Sequence, residues 1–271
     1  MITSVRLRCA FALIAIAFAS VAQPTPAAAQ EFAVVVTPPR FEDRAKAGAT
    51  YRNVIEINNT STKAARYTVQ TADWTLDAQG GPVFSQALSK DSCRPWVGIE
   101  AGEIAVKGNG KRRYRFEVAV PAGTPRGECR FAIMIEGEPQ PPRGNVPLPV
   151  SGRIGVIVYL AIGDAAPNLD VLETRSASVQ GHTLPVLRVR NVGDMHGRLD
   201  GYLAAVDADG RRIVLVPDNS PILVGATRDI PLYPQAEDNS AQTPTIIYPL
   251  RIKGRLDSGS QRLDIETTLN R

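Results

Sequence analysis

The sequence predicts an all-β protein built as two β-sandwiches in tandem. Three observations predict it. Apolar residues recur with a period of two, turn signals separate the periodic runs, and 271 residues leave room for two domains of ordinary size behind an N-terminal leader. Apolar residues at 44% and charged residues at 21% match a globular chain, which excludes wholesale disorder.

Residues 1–29 read as a secretory signal peptide. Arg6 and Arg8 form a basic start, Cys9 to Val21 is an apolar run, and Ala27-Ala28-Ala29 offers a small-residue cleavage site. The apolar run is shorter than the ~20 residues that a membrane-spanning helix needs. No later segment is apolar enough to cross a bilayer, so no integral membrane segment is expected after cleavage. The leader contains two of the 31 basic residues and none of the 27 acidic ones, so 29 face 27 in the mature chain, a net +2. That balance gives no reason to expect nucleic acid as a partner.

Alternation then marks the strands in order. Tyr114, Phe116, Val118 and Val120 alternate with Arg113, Arg115 and Glu117. Phe131, Ile133 and Ile135 alternate within Cys129–Glu136. In the second half Leu187 and Val189, then Tyr248, Leu250 and Ile252, then Leu263, Ile265 and Leu269 do the same. Each pattern predicts one face in a core and one in water. Gly80-Gly81-Pro82, Gly108-Asn109-Gly110, Asp209-Gly210 and Ser258-Gly259 break the runs. A boundary is expected at 161–168, where small and polar residues follow the apolar run Ile154–Leu160. This divides the mature chain into an N-terminal domain, 30–161, and a C-terminal domain, 166–271. Each is near the ~100-residue size of an immunoglobulin-like sandwich. A single large barrel is the competing architecture. The halves also echo each other, since Val54–Asn59 and Leu187–Gly193 are both strands that end in Asn before a turn.

Chemistry is sparse. His182 and His196 are the two histidines, both in turn-like contexts, and Gly-x-Ser-x-Gly is absent. A His-rich metal centre is excluded, and no catalytic residue, metal or cofactor is assigned. Asp207-Ala208-Asp209-Gly210 reads as a hairpin turn, because the ligand spacing of a calcium loop is missing. Lys111, Arg112, Arg113 and Arg115 read as a solvated sheet face. Cys93 and Cys129 remain once the leader is removed, and an even count in an exported chain suggests one disulfide. Two buried thiols are the alternative. Val146, Leu148 and Val150 alternate with Pro147 and Pro149 behind a Pro-rich stretch. Proline cannot donate to a ladder, so this is an edge strand or an extended loop. Either a partner chain covers its apolar face or the face folds back on its own domain.

Residues 32–160 resemble the PapD-like periplasmic pilus-assembly chaperones. Phe32 to Arg40 is similar to the family's first strand, which ends in a basic residue. Val54–Asn58, then Tyr67-Thr68-Val69-Gln70 and Trp74, resemble its strand, Asn-containing turn, strand and Trp. Pro95 to Glu103, Pro125-Arg126-Gly127-Glu128 and Ile154 to Tyr159 follow collinearly. The resemblance implies two immunoglobulin-like sandwiches, periplasmic location and no enzymatic activity. It implies binding of secreted or pilin-like subunits by strand loan, with an outer-membrane usher as a further partner. It further implies a basic cleft that grips a subunit's terminal carboxylate, with Arg40 in the Arg position. The family's Lys position falls on Val156, and the nearest basic residue is Arg153. The subunit-binding set expected here is therefore Arg40, Arg153, Val146, Leu148 and Val150. A structural or adhesive envelope protein built of similar modules is the alternative.

Overall fold

The computed structural model describes residues 33–77, 79–139, 151–235 and 244–270. Among them the architecture is all-β, with one short 3-10 turn at Arg94–Trp96. No helix among the described residues is long and apolar enough to cross a membrane.

The first sandwich uses ten strands. One sheet contains β1 (Val34–Thr37), β3 (Thr50–Asn59), β8 (Lys111–Ala119) and β6 (Val97–Ile99), in the order β1-β3-β8-β6. The facing sheet is built on β2 (Arg40–Ala45), β10 (Arg153–Ile162), β9 (Gly127–Gly137), β4 (Ala65–Leu76) and β5 (Pro82–Ser85), with β7 (Glu103–Val106) paired to β4. The chain switches sheets between β1 and β2 at Pro38-Pro39. β1 then pairs antiparallel with β3, and β2 runs parallel to the last strand, β10. This distribution of early, middle and late strands between two sheets is the immunoglobulin-like one.

The inward residues of both sheets form one core. It includes Ile55, Ile57, Tyr114, Phe116, Phe131, Ile133, Ile135, Val156 and Val158, all fully or nearly buried. The Cys93–Cys129 disulfide is formed within this core, linking the approach to the 3-10 turn with β9.

The second sandwich is one hydrogen-bonded ribbon. Its strands are β11 (Leu169–Val179), β12 (His182–Asn191), β13 (Asp200–Val206), β14 (Arg212–Pro217), β15 (Thr227–Gln235), β16 (Leu250–Ser258) and β17 (Gln261–Leu269). The order is β11-β12-β15-β14-β13-β16-β17. β15 carries the ribbon from one layer to the other. Its first half, to Pro231, pairs with β12, and its second half, from Leu232, pairs with β14. Leu187, Val189, Leu203, Leu215, Leu250 and Ile252 fill the core between the layers. No ladder pairs any of β1–β10 with β11–β17. β10 ends at Ile162 and β11 begins at Leu169.

Several sequence expectations change here. His182 opens β12 rather than lying in a turn, because Gln180 and Gly181, both at positive φ, already reverse the chain. β16 begins at Leu250, two residues later than the alternation suggested; Pro249 has no N–H to give a ladder. One-sided burial fails on β9. Phe131, Ile133 and Ile135 face the core as expected, but Ala132 and Met134 on the other face are buried too. They lie in a second apolar cluster with Trp74, Tyr159 and Leu223, the last from the second sandwich. The outer face of this sheet is therefore an interface, and a strand covered on both sides loses its polar alternation.

The Asp207 turn is as read. Asp207 Oδ1 accepts the backbone N–H groups of Asp209 (3.1 Å) and Arg211 (2.9 Å), and Gly210 takes a positive φ of 77°. Three members of the basic cluster on β8 are paired with acids: Lys111 with Glu56 (2.9 Å), and Arg112 (2.8 Å) and Arg115 (3.7 Å) with Glu100.

Candidate functional site

The site candidates lie on the outer face and edge of the sheet β2-β10-β9-β4, where the second sandwich docks. β10 alternates strictly there. Ile154, Val156, Val158 and Leu160 enter the first core, whereas Ile157 and Tyr159 belong to the outer cluster. The same parity places Arg153 and Gly155 on the outer side. Parallel pairing aligns Arg40 with Ile157 and Glu42 with Tyr159, so these two side chains share that outer side.

Arg40 and Arg153 thus lie on one face, separated by four residues of β10, or about 13 Å along the strand. Both are exposed. Arg40 is already engaged: its Nε lies 2.7 Å from Glu42 Oε1. Arg153 pairs in register with Glu136 of β9. Val156 faces the core at 0% exposure, so a lysine at this position would be driven into the apolar interior rather than to the outer face that carries Arg40 and Arg153. Val146, Leu148 and Val150 lie outside the described residues.

Among the described residues, one edge of β10 is only partly paired. Residues Arg153–Val156 pair with β9, but β2 covers the opposite edge only from Ile157 onward. Ile157 N–H donates to Pro39 O (3.1 Å), and Arg40 begins the covering strand. Among the described residues, nothing pairs with that edge of Arg153–Val156.

Gly155 on this stretch has a packing role. A Cβ there would lie 2.7 Å from Phe84 Cζ and 3.1 Å from Met134 Sδ. The β4–β5 hairpin folds over the outer face, and Phe84 rests on the space that a side chain would fill. The tight turn of that hairpin is organised by Asp77 Oδ1, which accepts N–H groups from Gln79 (2.9 Å) and Gly81 (2.7 Å).

Beside the open edge lies a charged cluster that the sequence reading missed. His196, in the segment between β12 and β13, is 4% exposed. Its ring stacks on Tyr159, with centroids 3.8 Å apart, and Tyr159 meets Trp74 edge-on at 5.4 Å. Arg130 sits over the Trp74 ring at 5.2 Å. The His196 backbone N–H donates to Glu128 Oε2 (2.9 Å), and ring Nδ1 bonds the same oxygen. Ring Nε2 lies 3.7 Å from Glu42 Oε1. That oxygen also pairs with Arg198 Nη2 at 3.2 Å. The His196 ring at 3.7 Å, with Arg198 and Arg40 nearby, holds the Glu42 carboxyl at about 2 despite its partial burial. Burial opposes a charge on His196, but the hydrogen bond to Glu128 and the nearby Glu42 carboxylate outweigh it and raise its pKa above the ordinary value. The two histidines are thus unlike: His182 is exposed, and His196 is buried among acids. Resemblance marked Trp74, Glu128 and Tyr159 as landmarks. Nothing along the chain marked His196 as their partner, because the contact joins residues 68 positions apart.

No family model matches the chain, and no curated protein matches it. Among solved structures it is similar to the YadV chaperone, at 10% identity, covering 88% of this chain and 100% of that one, with a TM-score of 0.46. It is similar to the CupB2 chaperone of Pseudomonas aeruginosa at 13% identity, with coverage of 87% and 100% and a TM-score of 0.43. A third is the CsuC–CsuE chaperone–tip adhesion subunit pre-assembly complex of Acinetobacter baumannii, at 14% identity, with coverage of 88% and 99% and a TM-score of 0.44.

Proposed function

We propose that this chain is a periplasmic chaperone-like protein that binds secreted or pilin-like subunits by β-strand addition during assembly of a fimbrial or other surface structure. The observation that supports the reading is the edge of β10, which no described residue pairs over Arg153–Val156 and which the strand beginning at Arg40 covers from Ile157. Unpaired N–H and C=O groups on a strand edge are a template for another chain. An added strand gains main-chain hydrogen bonds there, and its alternate side chains meet the pockets that select it. The collinear motifs of residues 32–160 resemble a family that uses its last strand in this way. Binding, not catalysis, is the activity proposed, after export and removal of residues 1–29, and delivery to an outer-membrane usher belongs to the same reading.

Arg40 stands where the open edge ends. A guanidinium there suits the terminal carboxylate of the added chain, which would replace Glu42 as its partner, a contact of about 1.5–3 kcal/mol when partly buried. Arg40→Ala is therefore expected to weaken client binding about tenfold or more, at 1.4 kcal/mol per decade. The melting temperature should barely move, since an exposed ion pair contributes ~0–1 kcal/mol. Mass spectrometry of chains that co-purify with the mature protein identifies the client, and titration with that client measures the loss. A fall in melting temperature with binding unchanged would make Arg40 a structural residue. If no chain co-purifies under any condition, the structural or adhesive envelope reading replaces this one.

A further inference from the structure

We propose that His196 is a proton-dependent latch: protonated, it docks the second sandwich on the outer face of the first, and on deprotonation that docking weakens. The geometry carries the inference. Both ring nitrogens face carboxylates of the other sandwich, Nδ1 toward Glu128 on β9 and Nε2 toward Glu42 on β2. A neutral imidazole has a single N–H. One ring nitrogen would then turn a lone pair toward a carboxylate oxygen, whichever tautomer formed. Only the imidazolium presents an N–H to both carboxylates, as a hydrogen bond to Glu128 and as an ion-pair contact at 3.7 Å to Glu42. The Glu128 side chain is 2% exposed, and a carboxylate so deeply buried requires a cationic or hydrogen-bonding partner. Its other cation, Arg130, stands off at 3.6 Å. Among the described residues Glu128 Oε1 makes no hydrogen bond, so His196 supplies the close contacts to this carboxylate.

The two carboxylates packed around the ring favour its charge, and the three guanidiniums that oppose it are paired with those carboxylates. Glu128 and Arg130 approach from β9, Glu42 and Arg40 from β2, and Arg198 from the ring's own segment. The Tyr159 ring approaches from β10 by stacking, and its hydroxyl is pushed upward by burial, far from neutral pH. Nearby, Arg126 is paired with Asp194 at 2.6 Å. Arg40 and Arg198 share Glu42 and oppose a further cation there, so the imidazolium is held chiefly by Glu128, whose other cation, Arg130, is more distant. The sign follows. The histidine's pKa is raised in the docked state, so the docking free energy is complete below the ordinary histidine value of ~6.5 and is lost as pH rises through the docked-state value.

Nitrogen-15 NMR of the mature protein tests the latch between pH 5 and 10. The His196 ring should be doubly protonated at pH 7 and titrate above 6.5. Relaxation measurements should show the two sandwiches tumbling as one body while the ring is charged, and with greater independence once it is neutral. His196→Gln should tumble as the high-pH protein does at every pH. The wild-type titration decides the matter even if that variant misfolds. A ring that is neutral at pH 7, or joint tumbling unchanged across the titration, overturns the proposal. This test is independent of client binding and can fail or succeed separately from the chaperone reading.

Discussion

Asn59 ends β3 in the first sandwich, Asn191 ends β12 in the second, and the two make nearly the same bonds. Asn59 Oδ1 accepts from the N–H two residues on, at Ser61 (3.0 Å), and its Nδ2 donates to the carbonyl four residues on, at Lys63 (2.8 Å). Asn191 does so with Gly193 (2.9 Å) and Met195 (2.8 Å). Each Nδ2 also reaches a distant segment, Val106 O at the end of β7 in one case (3.2 Å) and Ile222 O in the other (2.8 Å). Both residues are buried, at 1% and 0% exposure. The surroundings differ. The first sandwich is cross-linked by Cys93–Cys129 and has one sheet covered on both faces, whereas the second folds a single ribbon around one core. Turn chemistry is thus portable between the two, because it needs only one side chain and its neighbours. The covering of a sheet face depends on what the rest of the chain brings to it.

The largest way to break this comparison is to remove its asymmetry. The disulfide closes a loop with a sequence separation of 36, and by the chain-entropy argument such a loop stabilises by about 4 kcal/mol. Replacing both cysteines with alanine should shift the denaturation midpoint of the first sandwich by an amount on that scale and leave the second nearly unmoved. Tryptophan emission follows the first, because Trp74 and Trp96 are the two tryptophans and both lie in it. We propose that 30–161 and 166–271 fold separately; circular dichroism of the isolated segments checks this, and two unfolded segments would count against it.

The two asparagines sharpen the comparison next. Alanine at either position leaves buried carbonyls without their donor, each worth about 1–3 kcal/mol. Asn59→Ala and Asn191→Ala should lower stability by similar amounts, each in its own sandwich. A cost below about 0.5 kcal/mol at either site would show that the shared geometry is incidental there.

Gly155 probes the doubly covered face. Gly155→Ala puts a Cβ against Phe84, and overpacking of that kind costs about 1–3 kcal/mol. Gly155→Ala combined with Phe84→Leu should recover part of the loss, as a double-mutant cycle of melting curves would show.

The smallest expected effect is at acid pH. Glu42 titrates near 2 in the folded chain against an ordinary 4.5, so its contribution is complete above about 4.5 and is lost as pH falls toward 2. Glu42→Gln should flatten that part of the stability curve. The change is modest because the side chain is 37% exposed and solvent screens the pairs.

Much of this was legible in the chain. Alternation placed β8, β9, β12 and β17 because a strand's period of two is written in consecutive residues. Asp209-Gly210 and the Asn-ended strands were readable for the same reason, since their bonds span two to four residues. Two cysteines outside the expected leader pointed to a bridge by their even count and by the export that the leader implies. Three features could be decided only by the tertiary structure. Ala132 and Met134 are buried because Leu223 of the other sandwich and the β4–β5 hairpin cover them. Val156 is turned inward by the register of β10 against β2 and β9. His196, which the sequence shows only as a loop residue, becomes the partner of Glu128 and Glu42 when the two sandwiches meet. Local sequence specifies local geometry because its interactions close within a few residues. The charge state and burial of a side chain depend on groups brought together from distant parts of the chain, and no short pattern records them.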